Sequence, residues 1–241
     1  MPILDLVSGP VLLVVASPIE ASALTGASPG PHPSVPPGPW EASALGSDRS
    51  GFEIVVSGIG KSNAAAATAK VLQPSRHRAV LSIGIAGALQ PLELGQAVVA
   101  TSSVFADEGL QSPDGFKDCS AMGFPLGAFP GSAVPVHDQL ARELESVLST
   151  KSPRSGPIAT VSTCSGTDQL AAQVKSRTGA VAEAMEGAAV GLAAHRLGVP
   201  FGEVRIISNT TGDRNLQRWD MKRALTGLSE VIGLLAQHRR G

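Results

Sequence analysis

Short runs of apolar, often β-branched residues recur along the chain, and polar residues seldom interrupt them. Strands that are buried on both faces show this pattern, because neither face meets water. Ala-rich segments with helical periodicity lie between these runs. The predicted strands are residues 11–16, 53–57, 79–85, 97–101, 158–162 and 204–208, and the predicted helices are 62–72, 137–148, 168–176, 184–197 and 220–237.

The alternation of strands and helices predicts an α/β fold in which helices cover both faces of a mostly parallel sheet. A length of 241 residues suits one domain with one core, and the sequence shows neither an internal repeat nor a linker. We therefore predict a single domain over residues 1–241.

Two segments interrupt the alternation. Residues 26–40 contain six prolines together with Gly and Ser, which excludes a helix and predicts a surface loop. Residues 106–131 mix Gly, Pro, Asp and isolated Phe residues, and we predict a long surface loop there as well. Loops of this length within a domain are often lids or walls of binding sites.

The composition excludes several classes of function. With 19 basic and 20 acidic side chains the net charge is −1, so no excess of positive charge is present to bind nucleic acid or an anionic membrane. Aromatic residues make up 3% of the chain and Tyr is absent, which argues against stacking on single-stranded bases. Neither a nucleic acid nor a membrane is an expected partner.

Cysteine and histidine usage argues against a metal site or a disulfide framework. The two cysteines, Cys119 and Cys164, lack metal-ligand spacing, and the five histidines form no cluster with them, so we expect no metal or cofactor. The apolar run at 11–16 is too short to cross a membrane and lacks the basic flank of a signal peptide. We expect a soluble, cytoplasmic protein.

Ligands of doubly wound sheets bind where the strands end, so the residues after each strand are the candidates for chemistry. Glu20 lies four residues after the first strand, where a solvated residue in the first turn of a helix is the commoner interpretation. The second strand leads into Gly58-Ile-Gly60-Lys61. Val55 stands where a Walker A loop needs its first Gly, which disfavours a nucleoside triphosphatase.

The later strand ends bring further small or polar groups. A Gly-rich turn is predicted from Gly84 to Gly87, and residues 161–168 are suited either to a site wall or to an ordinary helix cap. Glu186 lies at the head of a helix that is apolar on nearly all sides, where a carboxylate needs hydrogen-bond donors. The last strand ends in the neutral amide of Asn209.

Four motifs occur in order along the chain: Gly58-Ile-Gly60-Lys61, Gly84-Ile-Ala-Gly87, Met185-Glu186-Gly-Ala-Ala and Arg205-Ile-Ile-Ser208-Asn209. Together they resemble the nucleoside phosphorylase and nucleosidase superfamily, from about residue 11 to the C-terminus. The resemblance implies a three-layer α/β/α domain with a central, mostly parallel, mixed and twisted sheet.

The downstream residues Gly212-Asp-Arg214 and Arg218-Trp219 make the chain most similar to the members that hydrolyse futalosine in menaquinone biosynthesis. The implied reaction splits futalosine into hypoxanthine and dehypoxanthinyl futalosine. The resemblance also implies a homo-oligomer, and the 106–131 segment is where we expect the subunits to meet.

The resemblance assigns roles to individual residues. Glu20 matches the residue that activates water, and Glu186 matches the carboxylate that binds the ribose hydroxyls, with Met185 against the sugar. Charge-assisted hydrogen bonds from a vicinal diol suit such a carboxylate. The resemblance also places Gly166 and Thr167 against the purine, and Ile85 and Ala86 on the ribosyl side. Roles in a turn or in the core suit these four residues equally well.

Asn209 indicates which base is bound. The matching residue of adenine-releasing nucleosidases is Asp, whereas an amide can donate its N–H to a 6-oxo group and accept from N7–H. We therefore predict a 6-oxopurine. A mismatched base would leave a buried polar group unsatisfied, which corresponds to roughly tenfold to hundredfold discrimination.

The distribution of charge favours water over phosphate as the nucleophile. No Lys or Arg precedes Arg49, although a phosphorylase needs cations to bind phosphate. Glu20, if it faces the pocket, would repel phosphate and could deprotonate a water. At the far end of the substrate, Trp219 could cover the site or pack in the core, and Arg214 or Arg218 could pair with the benzoate of futalosine.

Two alternatives remain open. One is another purine nucleosidase, acting on methylthioadenosine, adenosylhomocysteine or aminodeoxyfutalosine, which Asn209 disfavours. The other is a nucleoside-binding protein that has the fold without turnover.

Overall fold

A mixed β-sheet with helices on both faces forms the body of the protein. The computed structural model describes residues 3–4, 9–26, 40–46 and 51–238. Most of the predicted Pro-rich loop at 26–40 therefore lies outside the described residues.

Eleven strands and six α-helices are formed by the described residues. The strands are β1 Val11–Val15, β2 Ser43–Ala44, β3 Phe52–Val56, β4 Ala79–Ala88, β5 Ala97–Phe105, β6 Gly109–Ser112, β7 Gly115–Asp118, β8 Ala133–Pro135, β9 Arg154–Thr160, β10 Ala182–Ala184 and β11 Phe201–Thr210. The helices are α1 Pro18–Thr25, α2 Lys61–Val71, α3 Asp138–Val147, α4 Asp168–Thr178, α5 Gly187–Leu197 and α6 Met221–His238.

The main sheet has the strand order β10-β9-β5-β11-β4-β1-β3-β2, with β8 beside β5. Parallel pairs join β1 to β3 and β4, β4 to β11, and β9 to β5 and β10, whereas β11 and β5 are antiparallel. The predicted mixed sheet is confirmed. In addition, β10 pairs with both β9 and β4, so β4, β11, β5, β9 and β10 form a closed ring of strands.

Two apolar layers lie on opposite faces of the sheet. Side chains of a strand alternate between its faces, and in β1 Leu12 belongs to one buried cluster while Leu13 belongs to the other. The first cluster includes Ala64 of α2 and Ala188 of α5, and the second includes residues of α1, α3 and α6. Burial on both faces is why the strand sequences are apolar without alternation.

The segment before α5 departs from the predicted helix 184–197. Ala182–Ala184 is a strand, and the helix begins at Gly187 with Glu186 at its N-cap position. The hydrogen bonds of β10 to both β9 and β4 outweigh the helical preference of Ala184. This strand-to-helix junction turns Glu186 toward the inside of the protein.

The predicted turn at Gly84 to Gly87 is also corrected. These residues continue β4 to Ala88, because β11 pairs beside them as far as Thr210. The irregular segment 106–131 contains the hairpin of β6 and β7. Short elements such as these leave no hydrophobic periodicity in the sequence, which is why pattern analysis does not find them.

Candidate active site

A cavity of about 300 Å³ opens where β1, β4, β10 and β11 end. Seven of the predicted site residues line it: Glu20, Ile85, Ala86, Met185, Glu186, Asn209 and Trp219. The other lining residues are Ala16, Ser17, Ile59, Gly87, Cys164, Glu183, Ala184 and Ser208.

Glu20 is buried, and its position follows from the start of α1. Ser17 caps the helix and donates its hydroxyl to Glu20 Oε2 at 2.7 Å. The backbone N–H of Ile85 donates to Glu20 Oε1 at 3.0 Å. The interpretation of Glu20 as a solvated helix-start residue is wrong, because the side chain is buried and its carboxylate reaches the backbone N–H of Ile85 in β4.

Burial raises the pKa of Glu20 above its usual value, although the hydroxyl of Ser17, the charge of Arg205 and the N–H of Ile85 lower it. The charge of Glu186 adds to the increase. A carboxylate in this state is fixed in position and binds a proton more strongly than a solvated glutamate. Both properties suit a general base.

Glu186 is also buried and is held from two sides. The backbone N–H of Gly60 donates to Glu186 Oε1 at 3.1 Å, and Nη1 of Arg205 lies 3.3 Å from Oε2. Gly60 has φ 94°, a backbone conformation in which a side chain would be strained. The Gly-rich loop before α2 thus supplies a backbone donor to the site, whereas Lys61 pairs with Asp107 and Glu108 at 2.6 and 3.1 Å.

Arg205 is a buried cation behind the cavity that the sequence analysis assigned no role. Its Nε donates to Glu203 at 2.8 Å and its Nη2 donates to Ser82 at 2.9 Å. Burial lowers the pKa of Arg205, but the negative charges of Glu203 and Glu186 raise it by more. The pKa of Arg205 therefore lies above its usual value. The sequence did contain a signal for this buried ion pair. Glu203 and Arg205 are two residues apart in an apolar strand, and residues at this spacing project to the same face.

Gly84 provides the space in which these charges meet. A Cβ at this position would lie 2.5 Å from Oε1 of Glu20 and 2.8 Å from Nη1 of Arg205. Real Cβ atoms do not approach other atoms so closely. Glu20 and Arg205 can therefore occupy these positions only because residue 84 has no side chain.

Asn209 lies beside a bulge in β11. The pairing with β4 shifts between Ile207 and Asn209, which places Asn209 opposite Gly87. The Ser208 hydroxyl donates to Asn209 Oδ1 at 2.8 Å, and Nδ2 donates to the Thr210 carbonyl at 2.9 Å. An amide has two donors and two acceptor positions, so one of each remains for a ligand.

Glu183 is a further buried carboxylate of the lining that the sequence analysis missed. It accepts the N–H of Ser165 at Oε1 (2.8 Å) and the Ser165 hydroxyl at Oε2 (2.6 Å). Burial raises the pKa of Glu183, and the two Ser165 hydrogen bonds lower it. Burial likewise raises the pKa of the Cys164 thiol, and the charges of Glu183 and Glu186 add to the increase.

Three predicted site residues are outside this lining. The Gly166 carbonyl accepts the N–H of Arg214 at 3.0 Å, and Thr167 caps α4 by accepting the N–H of Leu170 at 3.2 Å. The Arg214 guanidinium stacks on Trp219 at 4.8 Å from the ring centroid, and Trp219 is 47% exposed at the cavity rim. The segment after β11 therefore borders the mouth of the cavity.

Within the described residues, no three or more His, Cys, Asp or Glu side chains lie close enough together to hold a metal ion. Over the same part of the chain, none of the helices has the length and apolar character needed to cross a membrane.

Comparison with known proteins identifies the class. The sequence pattern of the family described as the Phosphorylase superfamily matches residues 10–235, and the chain belongs to this family. The chain is 37% identical over 229 residues to the futalosine hydrolase of Acidothermus cellulolyticus, covering 93% of this chain and 89% of that protein. It is 33% identical to the futalosine hydrolase of Streptomyces coelicolor over 94% of each chain.

The same architecture occurs among solved structures. The native structure of the futalosine hydrolase of Helicobacter pylori superposes with a TM-score of 0.74, covering 96% of this chain and 98% of that one, at 20% identity. At this identity the likeness establishes the fold, and it confirms the predicted single-domain nucleoside phosphorylase-like architecture.

Proposed function

We propose that this protein hydrolyses the N-glycosidic bond of futalosine, releasing hypoxanthine and dehypoxanthinyl futalosine. The observation that carries the proposal is the arrangement of Glu20, Glu186 and Asn209 around one cavity. The identities of 37% and 33% to futalosine hydrolases support the choice of substrate.

Glu20 acts as the general base. A water that attacks the anomeric carbon must lose a proton, and the most effective base has a pKa raised toward the working pH. Burial raises the pKa of Glu20 in this direction, and the bonds from Ser17 and Ile85 hold its carboxylate in place.

Glu186 binds the ribose. Its carboxylate can accept hydrogen bonds from two neighbouring hydroxyls, and these are strong because the acceptor is charged. The sugar becomes positively charged as the glycosidic bond breaks, so a nearby anion stabilises the transition state more than the bound substrate. Met185, which also lines the cavity, packs against the sugar.

Asn209 receives the base. As the bond breaks, electrons move onto the purine, and the remaining amide N–H stabilises charge on the 6-oxo oxygen. The proton that Glu20 takes from water is returned through solvent to N7 of the leaving base, and the amide oxygen accepts a hydrogen bond from this N7–H. Ser208 and Thr210 fix the amide in one orientation, so its donor and acceptor are placed before the base arrives.

The charges of the cavity favour water over phosphate. Among the described lining residues, Glu20, Glu183 and Glu186 are carboxylates and none is Lys or Arg. The buried cation nearby, Arg205, is paired with Glu203 and Glu186 at 2.8 and 3.3 Å. A phosphate ion would therefore meet uncompensated negative charge, whereas a neutral water would not.

Arg214 and Trp219 hold the benzoate end of the substrate. The stacked guanidinium is exposed at the mouth of the cavity, and Arg binds carboxylates in bidentate fashion. Gly166 lies next to this segment, because its carbonyl accepts the N–H of Arg214, and together with Thr167 it borders the cavity from outside the lining. Ile85 and Ala86 form the apolar wall on the ribosyl side.

Three further parts of the proposal concern the setting of the reaction. With futalosine as substrate, the reaction is a step of menaquinone biosynthesis. The protein acts as a homo-oligomer, and the 106–131 segment, where Phe124 is 72% exposed, contributes to the contact between subunits. The cytoplasmic location stays a prediction.

The direct test is incubation with futalosine, inosine and methylthioadenosine, each with and without phosphate, followed by chromatography of the released base. We expect hypoxanthine from futalosine without added phosphate. Strict dependence on phosphate would contradict hydrolysis, and adenine release from methylthioadenosine as the faster reaction would favour the alternative nucleosidase. Binding of futalosine without release of base would favour a binding protein.

A further inference from the structure

Glu203 is a fully buried carboxylate of β11 to which the reaction described above gives no role. Each of its oxygens is bound by one donor. Nε of Arg205 donates to Oε1 at 2.8 Å, and the hydroxyl of Ser103 donates to Oε2. Replacing a buried ion pair by apolar residues is often neutral or stabilising, so stability alone does not explain why an apolar strand contains this pair.

Arg205 has three side-chain nitrogens, and two of them are held away from the carboxylates of the cavity. Nε donates to Glu203, and Nη2 donates to the hydroxyl of Ser82 at 2.9 Å. The third nitrogen, Nη1, lies 3.3 Å from Oε2 of Glu186. The charge of Arg205 also acts on Glu20.

The distances show that Glu203 is the closer partner of the guanidinium. Nε of Arg205 makes a hydrogen bond of 2.8 Å to Glu203, whereas Nη1 lies 3.3 Å from Glu186. A guanidinium with two free neighbouring nitrogens binds a carboxylate in bidentate fashion. Because Nε and Nη2 are occupied, Arg205 presents a single nitrogen to the carboxylates of the cavity.

The first residue of α5 provides the space for Glu203. A Cβ on Gly187 would overlap both oxygens of the Glu203 carboxylate. Gly187 directly follows Glu186, so one strand-to-helix junction both presents Glu186 and accommodates Glu203. A negative charge is favoured at the N-terminus of a helix.

The surroundings of Glu203 decide whether it carries a charge. Burial raises its pKa, whereas the charge of Arg205 and the hydrogen bonds from Ser103 and Arg205 lower it. The charge of Glu186 adds to the increase. The two donors and the helix N-terminus favour the ionised form, and an ionised Glu203 offsets part of the positive charge of Arg205.

Among the described residues, Glu20 is influenced by one cation and one anion. Burial raises the pKa of Glu20, Arg205 lowers it through its charge, and Glu186 raises it. The other two partners of Glu20, the hydroxyl of Ser17 and the backbone N–H of Ile85, are uncharged. Any group that offsets the charge of the guanidinium therefore changes how strongly Glu20 binds a proton.

We propose that Glu203 is a positioning residue for the hydrolysis: it holds the guanidinium of Arg205 in place and offsets the charge that this guanidinium exerts on Glu20. This inference rests on the proposed function and deepens it. Without the charge of Glu203, Arg205 would favour the ionised form of Glu20 more strongly. A carboxylate with a lower pKa takes a proton from water less effectively.

Glu203→Gln tests the charge. The amide has the same shape, its oxygen can accept from Nε of Arg205, and its N–H can donate to Ser103, so the main loss is the negative charge. We expect the acid limb of kcat/KM for futalosine to move about one pH unit lower, and kcat at neutral pH to fall by about 3- to 10-fold. Carbon-13 NMR titration of the Glu20 carboxyl in the full chain should show a pKa change in the same direction.

Two further variants serve as controls. Glu53→Gln removes the charge of another buried carboxylate, one that pairs with Arg76 and His77, and should leave the acid limb unchanged. Glu203→Asp retains the charge, so its acid limb should stay closer to that of wild type than the limb of Glu203→Gln. If Glu203 only supports packing, both substitutions of Glu203 will lower kcat without moving the acid limb, and this result would overturn the inference.

The NMR measurement decides the question even if Glu203→Gln does not fold. The carboxyl signal of Glu203, assigned by its absence in Glu203→Asp, should show an ionised group in wild type at neutral pH. A protonated Glu203 at this pH would overturn the inference, because a neutral carboxyl cannot offset the charge of Arg205.

Release of hypoxanthine from futalosine by wild type separates the two proposals. An unchanged acid limb in Glu203→Gln, with this release intact, overturns the role of Glu203 alone. Failure of wild type to release hypoxanthine overturns the proposed function, and the NMR titration of Glu20 in wild type and Glu203→Gln then decides whether Glu203 controls its pKa.

Discussion

The carboxylates of Glu20 and Glu186 share one buried guanidinium. Arg205 lowers the pKa of Glu20 through its charge and lies 3.3 Å from Glu186. Removing one member of such a group leaves an uncompensated charge in a low-dielectric environment, which costs far more than the loss of one contact. The reactivity of each of these residues therefore depends on its neighbours. Single substitutions should separate their roles.

Glu20→Gln should abolish most of the turnover without preventing binding. The amide preserves the shape of the side chain but cannot take a proton from water, so we expect kcat for futalosine to fall by about 10²- to 10⁴-fold. Binding of hypoxanthine, measured by calorimetry, should change little. Retention of wild-type kcat would show that another group activates the water.

The pH dependence of kcat/KM should show an acid limb from Glu20. Activity requires the ionised form of Glu20. Because burial raises the pKa of Glu20 in the folded protein, kcat/KM should fall as the pH is lowered, with a midpoint above the usual pKa range of a glutamate. Rate measurements on wild type from acid to neutral pH test this. An acid limb at the ordinary pKa of an exposed glutamate would contradict the effect of burial.

Asn209→Asp should change the preference for the base. The carboxylate accepts where the amide donated, so turnover of futalosine should fall by about 10- to 100-fold and aminodeoxyfutalosine should be admitted. Paired kinetic assays on the two nucleosides measure the change. Asn215→Asp, on the exposed loop after β11, is the matched control and should leave the preference unchanged.

Arg214→Ala should affect only substrates with a carboxylate at the far end. We expect an increase of about tenfold or more in KM for futalosine, since one charge-assisted pair is lost, and no change for inosine. Arg218→Ala provides the comparison, because Arg218 is also exposed and lies in the same segment. Equal effects of Arg214→Ala on the KM of both substrates would contradict a contact between Arg214 and the benzoate.

At the scale of elements, glycines set how closely two elements approach. Gly84 belongs to β4, and the absence of its Cβ leaves room for the carboxylate that α1 presents and for the guanidinium that β11 presents. Gly87 likewise leaves room for the side chains of Thr211 and Asn209. The Gly-Ile-Ala-Gly motif is thus part of a strand that other elements contact closely.

Gly84→Ala should therefore lower activity and stability together. The new Cβ would displace Glu20 and Arg205, and overpacking of this kind costs about 1–3 kcal/mol. Gly233→Ala in α6 is the control, because among the described residues no atom beyond its own helix lies within 4 Å of its Cβ position, and it should be neutral or stabilising. Thermal unfolding and kcat of both variants check the comparison.

At the scale of the whole molecule, apolar groups remain exposed near the cavity and on the 106–131 segment. Ile59 and Trp219 at the cavity are 61% and 47% exposed, and Phe124 and Leu110 on the segment are 72% and 50% exposed. Contact between subunits would remove such side chains from water. The predicted homo-oligomer would cover them.

Light scattering on the full chain should accordingly give a mass of at least two chains, and Phe124→Ser should weaken the assembly. The exposed Leu216, which lies outside the segment, provides the control Leu216→Ser. A monomer at micromolar concentration in wild type would contradict the prediction.

The sequence by itself determined the layers of the fold and the principal candidates for the site. Apolar runs indicate burial on both faces, two of the four short motifs contain Glu186 and Asn209, and the resemblance that the motifs carry assigned a role to Glu20. These signals are local, because one residue and its near neighbours along the chain carry them.

Only the tertiary structure decided which charges meet. Glu20, Glu186 and Arg205 come from α1, the start of α5 and β11, and their pKa values depend on burial and on one another. The register of β10 against β4 likewise places Glu183 opposite Asn209. Strand pairing and burial depend on residues that are distant along the chain, so no local pattern could have revealed these contacts.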